Sequence, residues 1–275
     1  MLLTPIQALI PTRAQRAILL PTSFSNGFTL IELITVIVIL AVISSIGTGM
    51  VVRTMESYQS TQQRALLANT ARPALERMTR QLRGALPYSV RVINTNQCIE
   101  FLPISAGGNY LSPVPDQFNG VTASSSINVS PYALEFGAAE YVSIGAMGAN
   151  ELYGGSGGSI AKYSTSSTAT QLQLASAKRW LRNSINKRFY IVDNPQAFCV
   201  IGGELRFYQG LQLNQASPSL TGSYDILAKG ITAAQPFSLE MGSENRNTRI
   251  NITLTFGDNN ESISFNHRVM IRNVP

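Results

Sequence analysis

The sequence predicts an α+β fold: a long N-terminal α-helix, transmembrane in its first half, packed on an antiparallel β-rich globular domain. Three observations predict it. An uncharged run of twenty residues extends from Leu33 to Val52, apolar residues then recur at three- and four-residue steps as far as Leu86, and from Tyr88 onward the apolar period becomes two. The 275 residues fit one sizeable domain plus appendages. Charged residues make up only 13% of the chain, against about 25% in ordinary soluble domains, so part of it is not ordinary water-facing surface.

The uncharged run comes first. Between Glu32 and Arg53 no charge interrupts it, and twenty helical residues at 1.5 Å each span about 30 Å, the thickness of a bilayer's hydrocarbon core. Its many β-branched residues, Val36 to Ile39, Val42, Ile43 and Ile46, still form helix there, because in lipid every backbone polar group must be paired within the segment. A secretory signal peptide would end in an Ala-x-Ala-like site. Here Ile43-Ser44-Ser45-Ile46-Gly47 follows, and the pattern continues into a polar helix. Glu32 is the anomaly, because an acidic residue at the centre of a membrane helix costs roughly 2.5–3.5 kcal/mol on insertion scales. Either it sits at the interface and reaches the headgroups, or it waits for a positive partner.

Gly27-Phe28-Thr29-Leu30-Ile31-Glu32-Leu33, followed by the apolar run, resembles the class III signal of type IV pilins and type II secretion pseudopilins. The resemblance implies that residues 1–27 are a leader, cut after Gly27 by a prepilin peptidase that also methylates the new N-terminal Phe28. It further implies that Glu32 pairs with the N-terminal ammonium of a neighbouring subunit. Two opposite charges in low dielectric attract far more strongly than in water, and pairing offsets the cost of taking Glu32 out of it. Arg13 and Arg16 lie ten or more residues before Gly27. Family leaders carry their basic residues closer, so the positive-inside argument is weak and a start codon downstream of Met1 stays open.

The segments then follow in order: 28–52 as the membrane and assembly half of the helix, 53–86 as its amphipathic periplasmic half, and 87–275 as the β-rich domain. Gly47 and Gly49 predict a bend, since glycine costs about 1 kcal/mol against alanine inside a helix. Met55, Tyr58, Ala65, Ala68, Leu75, Met78, Leu82 and Leu86 form the face to be buried. Arg72, Glu76 and Arg80 stand at supporting four-residue spacings. Pro73 predicts a kink, and Gly84 and Pro87 an end. Arg64, Arg72, Arg77, Arg80 and Arg83 are read as a solvated outer face.

In the remainder, Cys98–Ile104 and Phe189–Val192 read as strands. Residues 198–208 read as a hairpin turning at Gly202-Gly203. At the C-terminus Ile250, Ile252, Leu254 and Phe256 alternate with polar residues, and after a turn at 257–260 so do Ile263, Phe265, His267, Val269 and Ile271. That pattern is a two-stranded unit with one buried side. Residues 105–130 and 146–168 read as Gly/Ser/Ala-rich loops. The size of the chain, Ala74–Met78, Cys98–Ile104, Phe198–Val200 and the ending His267–Asn273 resemble the larger minor pilins, those of mannose-sensitive haemagglutinin (MSHA) and PilW type, and the J-type pseudopilin.

Two cysteines, Cys98 and Cys199, carry no CxxC and no metal-ligand spacing. In a cytosolic protein both would be buried thiols; behind a membrane segment facing an oxidising compartment, one disulfide is expected. Gly154–Gly158 matches the letters of a GxSxG nucleophile elbow, yet it lacks the apolar strand before the serine and the helix after it, so no catalysis is expected. His267, on an inward face, reads as a hydrogen-bonded core residue. Lys178, Arg179, Arg182, Lys187 and Arg188 surround Trp180 and read as a cationic surface patch around a half-buried ring. The turn Asp258–Glu261 reads as a hairpin loop without calcium. Net charge is +6, or +4 once a leader holding Arg13 and Arg16 is gone, which does not demand nucleic acid. No cofactor or metal is expected.

The resemblance implies other minor pilins, the major pilin, prepilin peptidase and an inner-membrane assembly platform as partners. It places the chain as a single-pass inner-membrane protein with a periplasmic domain, or at the pilus tip. A membrane-anchored periplasmic binding protein is the reading from a different class; it requires that residues 1–27 remain attached.

Overall fold

The computed structural model describes residues 27–272, apart from 135, 155–156, 214–217, 219, 221, 243–246 and 259–260. Residues 1–26 with Arg13 and Arg16, the Gly155-Ser156 pair of the GxSxG stretch, Asn259-Asn260 of the proposed turn and Asn273 lie outside that set. The chain divides after Glu56 into two units.

In the first unit the helix α1 (Leu30–Arg83) begins. Its apolar residues are exposed, Ile37, Val38 and Ile43 each more than half so. It is long and apolar enough to cross a membrane. The hydroxyls along it turn inward: Thr35 donates to the Glu32 carbonyl (2.9 Å), Ser45 to Val42 (2.9 Å) and Thr48 to Ser44 (2.8 Å). Lipid offers no partner for a polar atom, and these bonds within the helix satisfy them locally. The helix is not broken at Gly47, Gly49 or Pro73. Proline removes one backbone donor, and a single lost bond is absorbed where Ala71, Ala74 and Leu75 are already packed.

In the second unit, α1 buries Ala71, Ala74, Leu75, Met78 and Leu82, a helical stripe. Met55 in the first unit and Tyr58 and Ala65 in the second stay exposed, against expectation, and burial starts with Leu67 and Ala68. The stripe shares a core with two sheets. One orders its strands β1 (Arg91–Ile93), β2 (Cys98–Phe101), β9 (Gln196–Ile201), β10 (Glu204–Tyr208) and β11 (Tyr224–Lys229); the other orders β12 (Phe237–Glu240), β13 (Thr248–Asp258) and β14 (Glu261–Ile271). Stacked rings of Phe101, Phe198 and Phe207 fill its centre.

The β9–β10 hairpin turns at Gly202 and Gly203, whose φ of 60° and 76° are the two left-handed positions that a type I′ turn requires. β13 and β14 pair from Thr248↔Ile271 to Asp258↔Glu261, with Ile250, Ile252, Leu254 and Phe256 fully buried. His267 is half-buried, and its Nε2 lies 2.8 Å from the Thr79 hydroxyl on α1.

Cys98–Ile104 is not one strand. β2 ends at Phe101, and β3 (Ile104–Asn109) belongs to a different sheet. Pro103 has no N–H to continue the ladder, and at Leu102 the N–H donates to the Ser89 hydroxyl (3.2 Å) while the carbonyl accepts from Leu86 (2.7 Å). From there the chain builds a second lobe. A four-stranded sheet orders β3, β8 (Arg188–Val192), β5 (Tyr141–Ser143) and β6 (Ile160–Lys162), and a pair joins β4 (Ser124–Asn128) to β7 (Gln171–Lys178). So the stretches read as loops contain β3, β4, β6 and a 3-10 turn at Ala149–Glu151. Their Gly/Ser runs carry no apolar alternation, but single apolar residues in them, Tyr110, Ile127, Leu152 and Tyr153, are buried in the lobe's core, and polar contacts add to that packing. Arg182 grips Glu151 through both carboxylate oxygens (2.6 and 3.0 Å), and the Ser159 hydroxyl donates to the same carboxylate (3.0 Å).

Met78 has no exposed surface, so Met78→Ala is expected to destabilise the second unit by about 2–5 kcal/mol. Met55→Ala, at a water- or lipid-facing position, is expected to change it by less than about 0.5 kcal/mol. Chemical denaturation followed by circular dichroism checks the pair.

Candidate processing and assembly site

The start of α1 is built by two side chains. Thr29 stands just before the first helical residue, and its carbonyl accepts the first helical bond from Leu33 (3.2 Å). Its hydroxyl accepts from the Glu32 N–H (3.3 Å), while the Glu32 carboxylate accepts from the Thr29 N–H and hydroxyl (both 2.9 Å). This reciprocal pair is a capping box, which satisfies donors that a helix N-terminus otherwise leaves open. The sequence reading treated Glu32 only as a charge. The signal that reveals its second role is Thr-x-x-Glu immediately before an apolar run.

Both bonds to the Glu32 carboxylate fall on Oε2, and among the described residues nothing pairs with Oε1. Phe28 is 81% exposed. A Cβ added at Gly27 would meet nothing within 4 Å, and the residue is not in the left-handed region. Among the described residues nothing therefore requires glycine at this position.

The two cysteines come together as a disulfide. Cys98 and Cys199 sit directly opposite in the β2–β9 ladder, fully buried. All of the second lobe lies in the chain between them, so the bond clamps the stem from which that lobe grows.

The remaining candidates take structural places. Trp180 is fully buried rather than half-exposed, so its ring is not a stacking platform. The surrounding cations are largely spent within the lobe: Lys178 donates to the Gly157 carbonyl (2.8 Å), Arg179 to that of Asp116 (2.8 Å), and Arg182 to Glu151. Of the helix arginines, Arg64 pairs with Glu261 (2.7 Å) and Arg77 with Asp225 (3.0 Å), so these two are not simply solvated. Among the described residues no group of His, Cys, Asp and Glu is arranged to hold a metal.

One buried pair was missed by the sequence reading. Glu100 is fully buried on β2, with Oε2 2.5 Å from Arg91 Nε on β1. The Arg91 guanidinium lies 3.8 Å from the ring centre of buried Tyr153. Burial pushes the Glu100 carboxyl above the usual carboxylate range, and Arg91 opposes the shift. The β1–β2 hairpin sets Arg91 opposite Glu100, nine residues on, and the burial of the pair comes from what packs over it.

Residues 23–48 match the family model of the prokaryotic N-terminal methylation motif. With an exposed apolar helix opening at Leu30 and an antiparallel globular unit after it in the chain, the match supports a type IV pilin-like or pseudopilin protein anchored in a membrane. No curated protein and no solved structure matches the chain.

Proposed function

We propose that the chain is a minor type IV pilin of MSHA type, resembling the O protein of mannose-sensitive haemagglutinin pilus biogenesis (MshO). Residues 1–27 are a leader that prepilin peptidase removes after Gly27, and Phe28 becomes the methylated N-terminus. Residues 28–52 hold the subunit in the inner membrane, 53–86 continue the helix into the periplasm, and 87–275 form the globular part. With other minor pilins and the major pilin it primes assembly at the inner-membrane platform, or sits at the tip.

The observation that carries this reading is Gly27–Glu32 at the head of an exposed apolar helix. A glycine that the fold does not need supports recognition by an external enzyme. The unshared Oε1 of Glu32 supports a second bond, to the ammonium of a neighbouring subunit, made while Oε2 keeps capping its own helix. Glu32→Gln retains a capping acceptor but loses the charge, so it is expected to preserve the helix and reduce piliation at least tenfold. Gly27→Val is expected to abolish cleavage.

Intact-mass and N-terminal peptide analysis of protein from native membranes tests the reading. N-methylated Phe28 as first residue is the expected result. A chain still carrying residues upstream of Gly27, in cells whose other pilins are mature, would overturn it in favour of the anchored binding protein. Deletion is expected to remove pili and spare secretion; the reverse would make the chain a J-type pseudopilin.

A further inference from the structure

The end of α1, the end of β14 and one strand of the second lobe converge on a cavity of about 310 Å³. Arg83, the last residue of α1, Arg188, the first of β8, and Arg272, which follows β14, all line it. The Tyr190 ring, Ile104 and Ile271 supply an apolar wall. No aspartate or glutamate is in the lining. None of the three arginines forms an ion pair with a described residue, whereas Arg64, Arg77, Arg91, Arg182, Arg206 and Arg249 all do.

We infer that this cavity is a binding site for a small organic anion, one carboxylate or phosphate group carried on a compact body of sugar size. Guanidinium groups keep their charge at all physiological pH, and their planar forks match the two oxygens of such a group. Three like charges drawn to one concave surface repel one another, and an oxyanion converts that repulsion into attraction. The C-terminal end of α1 opposes an anion with only about half an elementary charge, against three full positive ones. The Gly84 carbonyl there already accepts from the Ile104 N–H (3.0 Å).

The volume favours a small ligand over a long polyanion, since sites of about 300–1,000 Å³ are the range for small molecules. The apolar wall gives the ligand's body a place beside the charged group. Arg83 closes α1, Arg188 stands in the β3–β8 ladder opposite Asn109, and Arg272 directly follows the last paired residue of β14. Two of them belong to the helix-bearing lobe and one to the inserted lobe, so a bound anion would also tie the lobes together. Nothing in this site depends on processing at Gly27 or on pilus assembly.

Calorimetric titration of the full chain in neutral-detergent micelles tests it, with glucuronate, glucose 6-phosphate, inorganic phosphate and glucose as probes. Glucuronate or glucose 6-phosphate is expected to bind with a dissociation constant of about 1 mM or tighter, weakening as salt screens the charges. Glucose is expected to give no heat. Arg188→Gln and, separately, Arg272→Gln are each expected to weaken binding at least tenfold without lowering the melting temperature, while Lys162→Gln, outside the cavity, leaves it unchanged. Should Arg188→Gln perturb the fold, Arg272→Gln, at an exposed position just past β14, still decides the matter. Absence of binding by both sugar anions, or binding untouched by both arginine variants, overturns the site. Inorganic phosphate binding as tightly as glucose 6-phosphate overturns the role given to the apolar wall.

Discussion

The Cys98→Ala/Cys199→Ala double variant is expected to lose about 4–5 kcal/mol of stability in the second unit, because the bond closes a loop of 101 residues and the entropy removed from the unfolded chain grows with loop length. For a unit of this size that corresponds to a fall in melting temperature of about 10–20 °C. The loop holds β3 to β8, the whole inserted lobe, so without the bond β2 and β9 must find each other across the unfolded lobe. Urea denaturation of oxidised wild type and double variant measures the loss. A drop of less than about 1 kcal/mol would mean that the stem is already held closed in the denatured chain. Both sulfurs are buried, so the bond is also expected to resist mild reductant until the stem opens.

The second large effect belongs to Arg91→Leu. It leaves Glu100, with no exposed surface, without the guanidinium on Oε2, while Oε1 has no hydrogen-bond partner to begin with. Breaking a buried pair from one side costs about 3–5 kcal/mol. The cost is expected to depend on pH in a definite sense. Burial raises the Glu100 carboxyl, and Arg91 is what opposes that shift, so the variant raises it further. An acid whose folded pKa lies above its unfolded value contributes stability at low pH, and loses that contribution as pH rises through the folded value. The difference between variant and wild type should therefore be largest near pH 8 and shrink toward pH 5. Taking the difference cancels Glu151, a carboxyl with the opposite sign. Burial would raise it, but Arg182, the Met147 N–H and the Ser159 hydroxyl hold it below the usual range. An equal loss at both pH values would show that packing of Arg91 on Tyr153, not charge, sets the effect. Removing both charges with Arg91→Leu/Glu100→Leu is expected to restore much of the stability.

The helix, its apolar first half and its end near Gly84 were legible in the chain, as were the Gly202-Gly203 hairpin and the final pair of strands. Each rests on contacts between near neighbours: i to i−4 bonds in a helix, a two-residue turn, a period-two face. The methylation-type motif is local for the same reason, contained within residues 23–48. The capping role of Glu32 is equally local, carried by Thr29 three residues before it. Of the inserted lobe only Phe189–Val192, within β8, was legible. Most of its strands are short, and its core gathers apolar residues scattered along the chain, Tyr110, Ile127, Leu172, Trp180 and Ile191 among them, with polar contacts such as Arg182–Glu151 between them.

Sequence by itself thus determined the membrane-length helix, the methylation-type motif and the β-rich class of the rest. Tertiary structure alone decided that β2 and β9 are neighbours, that Trp180 is core, that the Arg91–Glu100 hairpin pair is covered, and which arginines have no ion pair among the described residues around a cavity. The physical reason is separation along the chain. Backbone hydrogen bonds and side-chain periodicity act over a few residues and are written there, whereas a ladder between residues about a hundred apart depends on how everything between them folds.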